Sequence, residues 1–199
     1  MSGKSKEEFC RDLQDEPWFE DTQERMAAIR LLALDVDGVL TDGTINMGEN
    51  GELFKGFNAK DGMGISLALR SGLQVAIITG RRSAIIHRRA QELGITHICE
   101  GIKDKAEALR MLCAELQLDV SEAAFMGDDL NDIPAIVNCG FAFAPADAVE
   151  EVCSIVDMVT FAQGGRGAVR EAIQKLLEAQ GKWQKLVAAY FQSGQGDKQ

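Results

Sequence analysis

Residues 31–43, LLALDVDGVLTDG, are the most informative stretch of this chain. The apolar run at 31–34 predicts a strand buried on both faces, as in a parallel sheet. Asp35 and Asp37 follow it, and in open α/β sheets binding sites form outside the carboxyl ends of the strands. Two carboxylates this close repel each other, and oxygen ligands without nearby His or Cys favour a hard cation such as Mg2+. Taken alone, the pattern also fits a strand followed by an acidic turn.

The composition is that of an ordinary soluble globular protein. The chain has 199 residues, 46% hydrophobic and 26% charged, which allows one domain with a substantial core plus terminal extensions. The net charge of −10 argues against nucleic acid as a partner, since phosphate backbones attract basic surfaces. It does not exclude a small phosphorylated substrate, because a metal and local cations reverse the sign inside a pocket.

The cysteines and apolar runs predict a cytoplasmic protein without a membrane partner. Five cysteines occur without a C-x-x-C pair, so we expect free thiols in a reducing compartment rather than disulfides or a zinc site. The N-terminus lacks the apolar core of a secretion signal. No run approaches the roughly 18 apolar residues of a membrane span.

After the first strand, apolar runs alternate with amphipathic segments. Further strands are predicted at 73–79, 96–99, 123–126, 140–144 and 155–159. Helices are predicted from an N-cap at Asp61 to Ser71, at 82–93, at 103–117, in a short segment ending near 137, and from Gly164–Gly167 to about 179. This alternation predicts an α/β fold with a mainly parallel central sheet and helices on both faces.

A β-hairpin is predicted at 44–57, because Asn50-Gly51 is a strong hairpin turn signal between two mixed apolar and polar runs. Its place directly after the carboxylate strand favours a flap beside the site. The alternative is a hairpin with a purely structural role.

The ends of the chain give no functional prediction. Residues 1–25 are interpreted as an N-terminal extension, with a short helix near 5–14 that Pro17 would stop. The domain itself is predicted at 26–182, without an insertion long enough to form a second domain. Residues 183–199 are interpreted as a C-terminal tail that is helical to about residue 191.

Polar side chains stand at several predicted strand or helix ends. Asp35, Asp37, Thr79 and Asp128 follow strands, and Lys105 starts a helix. In a doubly wound sheet these ends converge on one crevice. The combination suits phosphoryl transfer, which depends mainly on positioning and on cations.

Each of these residues has a chemical role to offer. Asp35 is the candidate nucleophile through an aspartyl-phosphate, and Asp37 the candidate acid and base for the leaving oxygen and for water. Thr79 would donate its hydroxyl to phosphate, and Lys105 would hold phosphate and Asp35. Alone, Lys105 also fits a surface cation and Thr79 a strand-ending turn, while Asp132 also fits a residue that favours the following helix through its dipole.

These residues resemble the four motifs of the haloacid dehalogenase superfamily, across residues 31–145. The matching segments are Asp35-Val-Asp37-Gly-Val, Thr79-Gly-Arg81, Lys105, and Gly127-Asp128-Asp129-Leu-Asn-Asp132. The resemblance implies a Rossmannoid three-layer sandwich, with Asp35 as nucleophile and Asp37 as acid/base. It also implies that Mg2+ is held by Asp35, the backbone carbonyl of Asp37, and Asp128, with Asp129 as an outer candidate.

A narrower resemblance, over about 29–182, is to the family of 3-deoxy-D-manno-octulosonate 8-phosphate phosphatases. It rests on Phe57-Asn-x-Lys60-Asp61-Gly62 and above all on Gly164-Gly-Arg166-Gly-Ala-Val-Arg-Glu171, besides the motifs above. It implies a homotetramer without a cap domain, an intersubunit flap at 44–57, and a place in lipopolysaccharide biosynthesis.

Such a substrate carries a carboxylate as well as a phosphate, so cations should line its pocket. Lys60, Arg81 and Arg166 are the candidates, since Arg binds carboxylates in a bidentate way. Three alternatives stay open: a phosphatase of a nine-carbon sugar acid 9-phosphate, a phosphatase of broad specificity, and a non-catalytic tetramerisation module. The presence of Asp35, Asp37, Lys105 and Asp128 argues against the last.

Overall fold

The structure is a computed structural model that describes residues 17–49 and 51–192, with side chains described for 20–49 and 51–191. The strands are β1 (Leu31–Leu34), β2 (Asn46–Gly48), β3 (Gly51–Phe54), β4 (Gln74–Thr79), β5 (His97–Glu100), β6 (Ala123–Met126), β7 (Phe141–Ala144) and β8 (Met158–Val159). The helices are α1 (Pro17–Ala28), α2 (Ala59–Arg70), α3 (Ala84–Leu93), α4 (Lys105–Glu115), α5 (Ile133–Ile136), α6 (Glu150–Cys153), α7 (Ala168–Ala179) and α8 (Trp183–Gln192). Short 3-10 turns lie at Val120–Glu122 and Leu130–Asp132.

Six strands form one sheet in the order β5-β4-β1-β6-β7-β8, and every neighbouring pair is parallel. The predicted parallel sheet is confirmed. β1 lies between β4 and β6, so the chain crosses from one side of β1 to the other. In such sheets the crevice at the point of crossing is where ligands bind.

Apolar side chains cover both faces of the sheet, which makes three layers. Alternate side chains of a strand point to opposite faces of the sheet. All four residues of β1 are fully buried, because both faces are covered. Leu32 and Leu34 pack with residues of α1, α2, α3, α7 and α8, whereas Leu31 and Ala33 pack with residues of α4, α5 and α6. The unbroken apolar run at 31–34 is therefore a strand buried on both faces, as predicted.

The hairpin of β2 and β3 is a separate two-stranded antiparallel sheet, so the predicted hairpin is confirmed. The paired segments are shorter than predicted, and Asn50 of the predicted turn lies outside the described residues. Gly51 has φ = +111°, which suits glycine at a turn.

One local prediction is wrong. Asp61 is not the N-cap of α2, because Asn58 adopts the extended N-cap conformation and its side chain accepts a hydrogen bond from the N–H of Lys60 at 2.8 Å. Pro17 is the first residue of α1, a position that suits proline because its missing N–H has no helical partner there. The helix predicted near 5–14, with its predicted stop at Pro17, lies outside the described residues.

Helices also occupy both predicted domain boundaries. α1 crosses the predicted boundary at residue 26, and Met26 is buried in the core. Trp183, just after the other boundary, is 7% exposed and belongs to the same core. The predicted strand at 155–159 is reduced to Met158–Val159, and α6 precedes it. Within 17–49 and 51–192, no helix is long and apolar enough to cross a membrane.

Candidate active site

A crevice of about 290 Å³ lies where β1, β4 and β6 end. Its lining includes Asp35, Asp37, Thr79, Arg81 and Asp128. The parallel sheet brings these residues together from three separate segments, because the carboxyl ends of parallel strands meet at one edge. Lys105 approaches from the start of α4.

Lys105 is buried between two carboxylates. Its Nζ lies 3.0 Å from Oδ1 of Asp35 and also contacts Oδ1 of Asp132. The three side chains are 1%, 8% and 0% exposed, in the order Lys105, Asp35, Asp132. Burial lowers the pKa of Lys105, but the two carboxylates outweigh it and leave the pKa above its ordinary value. The lysine is therefore a fixed cation beside Asp35 rather than a surface residue.

Asp132 has a second role that sequence reasoning missed. Its Oδ2 accepts hydrogen bonds from the backbone N–H of Asp128 at 2.9 Å and of Asp129 at 3.3 Å. It thereby fixes the loop that carries Asp128, besides contacting Lys105. The Gly-Asp-Asp-x-x-Asp spacing is the signal that could have found it, because a carboxylate three or four residues onward can reach back to N–H groups at a helix start.

Asp35, Asp128 and Asp132 form an acidic cluster. One carboxylate oxygen from each lies within 4.8 Å of the others. Oδ1 of Asp128 is buried and accepts no hydrogen bond within the described part of the chain. A buried carboxylate oxygen without a donor is costly, and a bound cation is a partner that satisfies it.

Electrostatics support the same interpretation. Burial raises the pKa of Asp128 to about 7, and the neighbouring carboxylates of Asp35, Asp132 and Asp129 add to this rise. Burial also raises the pKa of Asp35, although Lys105 opposes it. Both carboxyl groups are therefore held close to other negative charge with too few cations, which is the environment of a metal ligand. Asp129 is exposed and accepts a hydrogen bond from the N–H of Leu130 at 2.7 Å.

Asp37 also lines the crevice and contacts two cations. Its Oδ1 accepts a hydrogen bond from Lys55, and its Oδ2 lies 3.3 Å from Nε of Arg81. Lys55 also lies 2.9 Å from Glu52. Sequence reasoning missed Lys55 and Glu52, because a single lysine or glutamate in a hairpin gives no local sign of a partner.

Thr79 ends β4 and is 2% exposed. Its Oγ1 accepts a hydrogen bond from the N–H of Arg81 at 3.3 Å, so the hydroxyl proton is left for another acceptor. Thr79 and Arg81 both line the crevice, in agreement with their predicted place.

Lys60 and Arg166 do not line this crevice. Lys60 is exposed in the first turn of α2. The side chain of Arg166 is 66% exposed and lies 3.5 Å from Asp42. Of the three predicted substrate-binding cations, Arg81 alone therefore borders the carboxylates in this chain.

The glycine-rich segment at 164–167 packs against the loop that follows Asp35. A Cβ on Gly164 would lie 1.7 Å from the carbonyl oxygen of Gly38, so only glycine allows this approach. Asp61 supports the segment from α2, because its buried carboxylate accepts hydrogen bonds from the N–H groups of Gly167 at 3.2 Å and Arg170 at 2.8 Å. Asp61 therefore caps α7 and not its own helix.

The chain is similar to known hydrolases. The model of the haloacid dehalogenase-like hydrolase family matches residues 64–140. The class defined by fold and site is thus that of haloacid dehalogenase-like hydrolases.

The relatives are more specific. The chain is 46% identical to the 3-deoxy-D-manno-octulosonate 8-phosphate phosphatase KdsC of Yersinia pestis, over 83% of this chain and 89% of that protein. It is 49% identical to the phosphatase of the same name from Escherichia coli K12, over 77% and 82% of the two chains. A crystal structure of the Moraxella catarrhalis phosphatase, in complex with magnesium ion, phosphate ion and KDO, matches with a TM-score of 0.83 and 39% identity, over 86% of this chain and 98% of that one. The chain belongs to the 3-deoxy-D-manno-octulosonate 8-phosphate phosphatase family.

Proposed function

We propose that the protein is a Mg2+-dependent phosphatase that hydrolyses 3-deoxy-D-manno-octulosonate 8-phosphate to the free sugar acid and phosphate, in lipopolysaccharide biosynthesis. The observation that carries this proposal is the contact between Lys105 and Asp35 beside the acidic cluster. Family membership supplies the substrate, and the crevice supplies groups suited to phosphoryl transfer.

The acidic cluster fits Mg2+, which prefers carboxylate and carbonyl oxygens. Asp35 and Asp128 would hold the ion with the backbone carbonyl of Asp37, and the unsatisfied Oδ1 of Asp128 is the atom that most needs it. Asp132 contacts Lys105 and two backbone N–H groups, so we assign it to positioning rather than to the metal. When bound, Mg2+ neutralises charge on the phosphate and on Asp35.

The residues of the chain divide the reaction between them. A carboxylate oxygen of Asp35 attacks phosphorus while the bond from phosphorus to the sugar oxygen breaks, and the carboxyl proton of Asp37 moves to that oxygen. Water then attacks the phosphorus of the aspartyl-phosphate, Asp37 accepts its proton, and Asp35 is released with phosphate. Lys105 and the hydroxyl of Thr79 bind the phosphate oxygens throughout.

The sugar-acid carboxylate needs a cation of its own. We assign it to Arg81, which lines the crevice and whose side chain is 56% exposed. Lys60 and Arg166 lie outside the crevice of their own subunit, so their proposed part in substrate binding requires a neighbouring subunit. The assignment of Lys60 and Arg166 to substrate binding therefore depends on an oligomer.

We propose a homotetramer in which flaps lie between subunits. Exposed apolar side chains of the flap support this proposal, since Met47, Leu53 and Phe54 are 62%, 64% and 59% exposed. Clustered exposed apolar side chains of this size mark interaction sites. We also propose a cytoplasmic location, which the free thiols Cys99, Cys113, Cys139 and Cys153 support.

The proposed function is tested by phosphate release in the presence of Mg2+. The substrates are 3-deoxy-D-manno-octulosonate 8-phosphate, a nine-carbon sugar acid 9-phosphate and simple sugar phosphates, each with an EDTA control. We expect a strong preference for the eight-carbon acid that EDTA abolishes. A preference for the nine-carbon acid would keep the mechanism and replace the substrate. Similar rates on all esters would favour broad specificity, and inactivity on every ester would favour a non-catalytic module.

A further inference from the structure

Lys55 is a buried cation that the reaction described above does not use. It follows β3 at the base of the flap, and its side chain is only 1% exposed. Lysine is almost never this buried without partners. Its partners are two carboxylates, Oδ1 of Asp37 and Oε1 of Glu52 at 2.9 Å.

The main body of the protein holds Lys55 in place through Glu52. The other oxygen of Glu52, Oε2, accepts a hydrogen bond from the hydroxyl of Ser83. Ser83 lies between β4 and α3, is 8% exposed, and donates its own N–H to Glu100 at the end of β5 at 3.1 Å. The flap lysine is thus anchored, through Glu52 and Ser83, to the segment that follows β4 and to the end of β5.

Asp37 has a cation at each oxygen, and the two cations differ in freedom. Lys55 contacts Oδ1 and is buried, whereas Arg81 lies 3.3 Å from Oδ2 and is 56% exposed. An exposed arginine can turn towards an incoming carboxylate, as the proposed function requires. Lys55 is then the contact that keeps the carboxyl group of Asp37 in one orientation.

We propose that Lys55, held by Glu52 and Ser83, is a positioning residue that orients Asp37 for proton transfer to the leaving oxygen. This inference rests on the proposed function, in which Asp37 donates that proton as the phosphorus–oxygen bond breaks. A sugar alkoxide is a poor leaving group and needs the proton. A nitrophenolate leaves without it, so aryl phosphates separate positioning of Asp37 from general damage to the site.

The experiment compares kcat/KM of Lys55→Met and Asp37→Asn on 3-deoxy-D-manno-octulosonate 8-phosphate and on p-nitrophenyl phosphate. The value of kcat/KM reports the steps up to departure of the leaving group, so slow hydrolysis of the aspartyl-phosphate does not affect it. We expect kcat/KM of both variants to fall about 100-fold on the sugar ester, which is the range for lost general acid catalysis. On the aryl ester we expect kcat/KM to fall less than about threefold, because its leaving group needs no proton. Lys175→Met is the matched control, because it removes a lysine whose carboxylate partner, Glu178 at 3.6 Å, is on the surface.

The outcomes separate the inference from the proposed function. In one outcome, Asp37→Asn shows the selective loss while Lys55→Met lowers kcat/KM equally on both substrates, or on neither. In that case Lys55 only fastens the flap and the inference is wrong. If Asp37→Asn is not selective, Asp37 is not the acid and the inference falls with it. A wild-type protein inactive on the sugar ester would instead overturn the proposed function. Circular dichroism checks folding. If Lys55→Met does not fold, Glu52→Gln replaces it, because it removes the carboxylate that holds Lys55 and should show the same selective loss.

Discussion

Nζ of Lys105 lies 3.0 Å from Oδ1 of Asp35, which lines the crevice, and the same ammonium contacts Asp132. With Asp128 added, three carboxylates face one buried ammonium, which leaves an excess of negative charge. A divalent cation is the simplest way to balance it, since unpaired buried charges are costly. The ion pair and the proposed Mg2+ site are therefore parts of one charge balance.

Removing Lys105 should damage both catalysis and stability. In Lys105→Ala, Asp35 and Asp132 keep their burial but lose their counter-charge, which destabilises a fold by about 3–5 kcal/mol. The transition state of phosphate release should lose several kcal/mol of stabilisation, because the cation that binds the phosphate oxygens is gone. Denaturant unfolding and steady-state kinetics measure the two effects. Lys103→Ala, an exposed lysine nearby, is the control; a loss below about tenfold, or roughly 1.4 kcal/mol, would contradict the assignment of Lys105.

Asp35→Asn should abolish turnover while leaving the fold and substrate binding largely intact. Asparagine has nearly the same shape but is a far poorer nucleophile, so no aspartyl-phosphate can form. Kinetics of phosphate release measure turnover, and isothermal titration with the sugar ester measures binding. Retained activity would rule out Asp35 as the nucleophile.

Mg2+ should stabilise the protein more at pH 8 than at pH 5.5. The pKa of Asp128 is raised from 3.8 to about 7, so without metal this group favours the folded state at low pH and loses that contribution as the pH rises towards 7. Protons also compete with the cation for the carboxylate below that pH. Thermal unfolding with MgCl2, against NaCl of equal ionic strength, measures the shift in Tm. Equal shifts at both pH values, or an unchanged pattern in Asp128→Asn, would count against Asp128 as a ligand.

Gly164→Ala should disturb the site from a distance. The added methyl group would meet the carbonyl oxygen of Gly38 at 1.7 Å, and the loop after Asp35 would have to move. A misplaced nucleophile costs on the order of 100-fold in rate, so kcat should fall strongly even where the protein still folds. Gly56→Ala is the control, because nothing lies within 4 Å of its added methyl group. Activities within twofold of each other would show that the contact is dispensable.

The flap should be needed for assembly. Leu53→Ser combined with Phe54→Ser removes two exposed apolar side chains without touching the core of the subunit. We expect the double variant to sediment as smaller species than the wild type, while its far-ultraviolet circular dichroism stays the same. A tetrameric double variant would place the interface elsewhere, and a fully active wild-type monomer would contradict the tetramer itself.

The local sequence was sufficient for the architecture and for three groups at the strand ends. Apolar runs followed by polar residues are short-range signals, so the strand at 31–34 and the places of Asp35, Thr79 and Asp128 could be predicted from pattern alone. Parallel strands align their carboxyl ends, which brings these residues together without knowledge of any single contact.

By itself, then, the sequence determined an α/β sheet with a carboxylate-rich crevice, because burial and chain direction follow from local pattern. Only the tertiary structure decided the partners within that crevice. Lys55 of the flap contacts Asp37, and Asp61 caps α7 rather than α2. Both contacts join residues too far apart in sequence for a local pattern to encode. The physical reason is that an ion pair or a cap depends on where packing brings two distant segments, and the residue alone shows only that it carries a charge.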